Sequence, residues 1–266
     1  MLNHTRHAST PRRVRSAHRN AGFTLVELMV GLVVGLIVIG GVISLYLTVV
    51  QGSAYTTREA RLTQETRITM DFISADIRRA GFSHPERIIV PADEERLPIN
   101  WFMEDDRWLS IHDYDGGTAN CILVTYDPTF LYDVTTADFD DPPPAQYVFG
   151  YRSNNGTVEM LTGGLSGTTD CDAGTWEPLT DPDTTRVSEL SFEASGSSCM
   201  KVDVDGETHG PVYGDTPCAS LGSDDGDVFA ESARVTVTLE AKHANDDATR
   251  VNHSDTVSVR NLRIFD

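Results

Sequence analysis

Ala21-Gly22-Phe23-Thr24-Leu25-Val26-Glu27-Leu28 is the stretch on which the reading of this chain turns. It joins two unlike segments. The first 22 residues are polar and basic, with Arg6, Arg12, Arg13, Arg15 and Arg19 and no acid. The 23 residues from Leu28 to Val50 carry no charge at all. As a helix that run would extend about 34 Å, against roughly 30 Å of bilayer hydrocarbon. It is expected to span a membrane, with the arginine-rich end held in the cytoplasm and the rest carried across. A secretory signal does not fit, because its cleavage residues would follow a shorter apolar run. Here the distinctive residues precede a long one. A plain anchor leaves Glu27 unexplained, since an ionisable side chain at the edge of a span usually has a partner.

The sequence Gly22-Phe23-Thr24-Leu25-Val26-Glu27-Leu28 followed by an apolar helix resembles the N-terminus of type IV pilins and of type II secretion pseudopilins. The resemblance implies that prepilin peptidase cuts after Gly22 on the cytoplasmic side and methylates the new N-terminus, Phe23. Glu27 then stands where that family has its glutamate. A carboxylate in low dielectric seeks a cation, and the cut creates one, the amine of Phe23. A neighbouring subunit's amine would complete the pair as helices stack, so Glu27 is expected to set the register of assembly. Gly31 and Gly35 are spaced for close helix–helix approach, although glycines are also simply tolerated in membrane helices. Major pilins often carry a proline midway along this helix; none occurs here, and Gly40-Gly41 is the candidate point of flexibility.

The expected organisation is a cleaved leader over 1–22, an assembly helix over 23–81 with its span at 28–50, and a β-rich extracytoplasmic domain over 82–266. No proline interrupts residues 51–80. Leu62, Ile68, Phe72, Ile73, Ile77 and Ala80, bridged by Thr69, approximate a helical stripe, with Gly81 as the stop and Phe82 folding back. Beyond Gly81 the patterns shorten. Strands are predicted at 121–126, 147–152, 157–161, 186–194, 234–239 and 257–262, with Asn154-Asn155-Gly156 as a hairpin turn. Residues 133–145, 163–184 and 196–230 read as loops rich in Asp, Gly, Pro and Thr. The fold class is α+β and pilin-like: a long N-terminal helix packed on an antiparallel sheet.

The resemblance narrows along the chain. The helix end Ile77-Arg78-Arg79-Ala80-Gly81-Phe82, the segment Trp176-Glu177-Pro178-Leu179 leading into Val187–Phe192, and the closing Val259-Arg260-Asn261-Leu262 are similar to PilW minor pilins. These are related to the J-type minor pseudopilins of type II secretion, which remain the alternative. The implied partners are prepilin peptidase, the other minor pilins, the major pilin and the inner membrane. The implied role is in a tip complex that primes pilus assembly. Before assembly the chain would cross the inner membrane once, with its C-terminal domain in the periplasm; after it, the chain would sit at the pilus tip.

Charge bounds the other possibilities. The formal net charge is −19, from 40 acidic and 21 basic residues; without the leader 16 basic residues would face the same 40 acids, a formal −24. Such a body repels phosphate backbones and is not expected to bind nucleic acid. Cys121, Cys171, Cys199 and Cys218 all follow the span, and none shows C-x-x-C spacing. An even count on the exported side reads as two disulfides. Of the three possible pairings, Cys121–Cys171 with Cys199–Cys218 is preferred because the latter two are near in sequence. No nucleophile elbow, phosphate loop or H-E-x-x-H is present. His84, His112, His209, His243 and His253 show no ligand spacing, so no catalytic residue and no cofactor is expected.

Asp203-Val204-Asp205-Gly206-Glu207 and Asp224-Asp225-Gly226-Asp227 resemble pieces of calcium loops. They make Asp203, Asp205, Asp225 and Asp227 calcium candidates, and a membrane-anchored calcium or ligand-binding module a third function class. Asp-Gly turns arise readily in so acidic a chain, and solvated turns are the plainer reading. Trp101, Trp108 and Trp176 are assigned to packing rather than to a binding surface.

Overall fold

The computed structural model describes residues 22–83, 100–103, 107–129 and 145–266. His84 and the side chain of Trp101 lie outside the described residues, as does nearly all of the expected loop at 133–145. The chain divides into two units after Ser53. One helix, α1 (Leu25–Arg79), runs through both.

In the first unit α1 is apolar and exposed. No residue of its most hydrophobic stretch is buried within the protein. Those side chains need lipid or other helices as their solvent, and a helix satisfies its backbone internally, as a bilayer requires. The helix continues through Gly40 and Gly41 without a break.

In the second unit α1 buries one face: Leu62, Thr66, Thr69, Met70, Ile73, Ser74 and Ile77. The spacing of three and four keeps these residues on one side of a 3.6-residue turn. The expected stripe therefore needs correcting. Ile68 and Phe72 are 45% and 49% exposed. At 100° per residue Ile68 and Phe72 lie about 160° and 120° from the centre of the buried face, and Thr66 and Ser74, with the bridging Thr69, take the buried positions instead. Thr66 and Thr69 satisfy their hydroxyls by donating to the carbonyls of Leu62 and Glu65, so burial leaves them no unmet hydrogen bond.

Gly81 ends the helix with φ +71°. Its N–H donates to the Thr125 carbonyl at 2.8 Å, and a Cβ there would lie 2.7 Å from Met103 Cγ. Only glycine accepts both the left-handed backbone and the close packing. Phe82 folds back onto the core as expected.

The strands are β1 (Leu109–Tyr114), β2 (Gly117–Thr125), β3 (Val148–Asn154), β4 (Thr157–Gly163), β5 (Thr175–Pro178), β6 (Thr185–Glu193), β7 (Ser197–Val202), β8 (Thr208–Gly214), β9 (Val228–Ser232), β10 (Arg234–His243), β11 (Asp246–Ser258) and β12 (Arg263–Phe265). They form three sheets, ordered β1-β2-β3-β4-β5, β11-β10-β6 and β12-β9-β7-β8. The class is α+β and pilin-like, with every pairing antiparallel among the described strands.

The hairpin turn falls where predicted, with positive φ at Asn155 and Gly156. The predicted loops at 163–184 and 196–230 are corrected: the first contains β5, and the second contains β7, β8 and the start of β9. The predicted strand at 257–262 ends at Ser258.

Leu62, Met70, Ile73 and Ile77 of α1 join Val187, Leu190 and Phe192 of β6 and the inward side chains of β10 in one core. Asp76 adds a polar tie, accepting from Tyr126 Oη at 2.8 Å and Tyr151 Oη at 2.6 Å. Burial, and then the Asp76 carboxylate, push both phenols' pKa values up. Cys121–Cys171 closes a smaller cluster on the other face of β2, with Leu123, Val148, Leu161 and Leu165. Trp108 is in the main core, and Trp176 packs beside this second cluster with the Arg152 guanidinium 4.3 Å from its ring.

Candidate functional site

The start of α1 is built from the residues that opened the sequence reading. Thr24 precedes the helix, and its Oγ1 accepts the Glu27 N–H at 3.2 Å while its carbonyl accepts the Leu28 N–H at 3.2 Å. Thr24 is thus the N-cap, and Thr24-x-x-Glu27 has the spacing of a capping box. Glu27 sits in the first turn, where free backbone N–H groups favour negative charge. Sequence reasoning missed this local role, although Thr three residues before Glu was legible.

Phe23 is exposed at the very start. Gly22 adjoins it, and a Cβ on Gly22 would meet nothing within 4 Å. The fold of this chain therefore gives no reason for glycine there. The same openness holds at Gly31, Gly35, Gly40 and Gly41. Leader residues 1–21 lie outside the described residues.

The two acidic turns meet at one end of the β12-β9-β7-β8 sheet. A Cβ on Gly226 would lie 3.0 Å from Val204. Between the turns sits a lysine that sequence reasoning did not single out. Lys201 Nζ lies 2.9 Å from Asp203 Oδ1 and 3.0 Å from Asp227 Oδ2. Its hydrogen bonds to Asp203 and then Asp227 raise the ammonium's pKa. Asp203 is lowered chiefly by Lys201. Asp227 is lowered first by the Asp224 backbone N–H and then by Lys201.

Of the four calcium candidates, Asp203 and Asp227 thus converge on an ammonium, and Asp205 accepts the Glu207 N–H; Asp225 lies in the neighbouring turn. His209 Nε2 is 2.7 Å from Asp203 Oδ2. Among the described residues, Asp203, Glu207 and His209 are the one group of three whose ligand atoms come within 4.8 Å of one another. A hairpin brought His209 to Asp203, which linear spacing did not reveal. His112 instead bonds the Thr168 carbonyl at 2.7 Å.

The second disulfide, Cys199–Cys218, holds the segment after β8 against β7. Both bonds follow the preferred pairing.

The sequence model of the prokaryotic N-terminal methylation motif matches residues 17–43, across the cap and the apolar helix. That of the family described as prepilin peptidase-dependent protein B matches residues 55–259, most of the chain. The chain belongs to this family. It is a prepilin-type, pilin-like protein whose family depends on prepilin peptidase, and its apolar helix fits anchoring in the inner membrane. No curated protein and no solved structure matches it. The domains of pilin families serve as structural parts.

Proposed function

We propose that this chain is a minor pilin of the PilW kind. Prepilin peptidase cuts it after Gly22 and methylates Phe23, and the C-terminal domain stands on the periplasmic side of the inner membrane. There the subunit joins other minor pilins in the complex that primes a type IV pilus, ahead of the major pilin, and it remains at the tip. It works by assembly and not by catalysis. The observation that carries the reading is the capped helix start. Thr24 and Glu27 begin a helix whose charge-free stretch, 28–50, has no buried residue among the described residues, and the methylation motif covers its first part. Glycine at position 22 answers no need of this fold, and a peptidase that grips the scissile bond closely supplies one.

Glu27 does more than cap in this reading. Near the interface its carboxylate is tolerable, but among packed helices it needs a cation, which the Phe23 amine of a neighbouring subunit provides. The test is N-terminal sequencing of the protein from membranes, together with a Glu27→Gln variant. The mature chain should begin at N-methyl-phenylalanine, and the variant should be cut normally yet give fewer pili. Met1 on the assembled protein would refute the proposal. Deleting the gene separates the pilus from type II secretion: lost secretion with intact pili would assign the chain to the J-type pseudopilins.

A further inference from the structure

The β12-β9-β7-β8 sheet keeps large apolar side chains on its outer face. Along β7, Ser197, Cys199 and Lys201 point inward, while Met200 and Val202 are 41% and 39% exposed. The register makes this a face and not a pair of stray side chains. Met200 pairs with Ala230 of β9, which pairs with Ile264 of β12, and Val202 pairs with Val228. On the other side of β7, Tyr213 of β8 pairs with Ser198 and is 67% exposed. Residues directly opposite in register share a face of the sheet. The inner face mixes the ion pairs Lys201–Asp227 and Arg263–Glu231 and the Cys199–Cys218 bond with the stacked rings of Phe229 and Phe265, so the outer apolar side chains are surplus to the core. A half-solvated antiparallel sheet normally turns its apolar side chains in and its polar ones out. An exposed apolar face of this kind marks an interaction surface.

We propose that this face docks a second, different pilin-family subunit, one that presents an apolar surface edged with lysine or arginine. The proposal rests on the assembly role given above, and charge selects the occupant. Asp205 and Glu207, both exposed, stand on the β7–β8 turn at one end of the face, beside Asp224 and Asp225. The only lysine and arginine on these four strands, Lys201 and Arg263, are spent inward on Asp227 and Glu231. A second copy of this chain meeting it through the same face would bring the same acidic edge and, on these four strands, no free cation to meet it. A basic-edged partner gains both the apolar contact and the complementary field.

The experiment uses the full chain in its own membranes, with a photo-cross-linking residue at position 200 and a control at the exposed Thr256 on the polar sheet. Position 200 should cross-link to another pilin-family subunit identified by mass spectrometry, and position 256 should not. Asp205→Lys with Glu207→Lys should reduce that product about tenfold. Met200→Glu should reduce co-purification of the same subunit about tenfold, as expected for a charge placed in the dry centre of an interface, with an unchanged melting temperature. If Met200→Glu proves unstable, the charge-reversal pair on its exposed turn still decides. Cross-links to a second copy or within the chain, equal capture from both positions, or no capture at all would overturn the proposal. If the leader is cut at Gly22 and pili need the gene, such a result removes the docking face alone. An uncut leader on assembled protein removes both the face and the function it rests on.

Discussion

Two sheets in the same domain solve burial in different ways. In β11-β10-β6, the β10 residues Val235, Val237, Leu239 and Ala241 are at most 2% exposed and lie in the core with α1. Thr236, Thr238 and Glu240 alternate with them and pair outward with Thr256, Ser254 and Asn252. In β12-β9-β7-β8 the inner face mixes Lys201, Arg263 and their carboxylates with Phe229 and Phe265, while Met200, Val202, Tyr213 and Ile264 stay exposed. The first sheet is held by burying apolar area. The second is held by ion pairs, by a disulfide, by one stacked phenylalanine pair and by its strand ladder. The difference teaches that the first sheet is complete in a single subunit, while the second keeps its apolar surface for something else.

The largest effect should come from placing one carboxylate on each sheet. Val237→Asp puts an unpaired charge at a position with no exposure and should cost about 4 kcal/mol or more. That is much of the stability a domain has, so the variant should fail to fold. Met200→Glu sets its charge on an already exposed strand face and should move the melting temperature by less than about 3 °C. Thermal melts of both variants check this. Equal destabilisation would mean that the outer face of β7 is covered within the subunit, and the contrast would collapse.

The same contrast explains what was legible in the sequence. The span was legible because bilayer thickness imposes a length and forbids charge, and no tertiary contact alters either. The β10–β11 hairpin was legible because its alternation matches its burial. β7, β8 and β9 were read as loop because Ser197, Cys199 and Lys201 make the inner face polar, and Asp and Gly crowd their ends. The alternation Met200-Lys201-Val202 was present but short, and β7 and β8 shift register between Cys199 and Lys201. On α1, counting apolar residues favoured Ile68 and Phe72 over Thr66 and Ser74. Angular position decided otherwise, because a threonine that bonds its own helix buries at little cost. At the site, Gly22, Phe23 and Glu27 came from one contiguous motif. The Thr24 cap lay in the same stretch and was missed, while the Lys201 and His209 contacts depend on a hairpin that no linear pattern displayed.

A middle-sized effect should follow from removing Cys199–Cys218, which spans 19 positions. Closing a loop of that size stabilises by about 3 kcal/mol in the chain-entropy account. Because the inner face of this sheet has only Phe229 and Phe265 as large apolar side chains beside its ion pairs, the loss should be local. In Cys199→Ser/Cys218→Ser, hydrogen exchange should quicken through β7 and β8 and stay slow in β10. Equal loss of protection in both sheets would show that they unfold as one unit. In the unaltered exported protein, mass spectrometry without reduction should find no free thiol among the four cysteines.

The smallest effect, and the one that probes the inner face most directly, is Lys201→Met. Lys201 lies between Asp203 and Asp227, and the Asp227 side chain is 2% exposed. Removing the ammonium leaves two carboxylates facing each other with only backbone and His209 donors to offset them. Both carboxylates have lowered pKa values in the folded protein. Their stabilisation is therefore present above the ordinary carboxylate range and is lost as pH falls through the lowered values. The raised pKa of Lys201 has the opposite sense: its stabilisation is present below the ordinary lysine range and is lost only as pH rises through the raised value. At pH 7 both contributions are in place, so the variant should melt below the parent. The gap should close as pH drops below about 4 and the carboxylates take up protons. Calcium sharpens the test. With the ammonium present, millimolar calcium should shift the melt little, because that position already holds a cation. In Lys201→Met, calcium should restore part of the lost melting temperature by binding the folded state alone. A gap that persists unchanged into acid, or a calcium shift as large in the parent as in the variant, would show that Lys201 is not the cation that holds this sheet's polar interior.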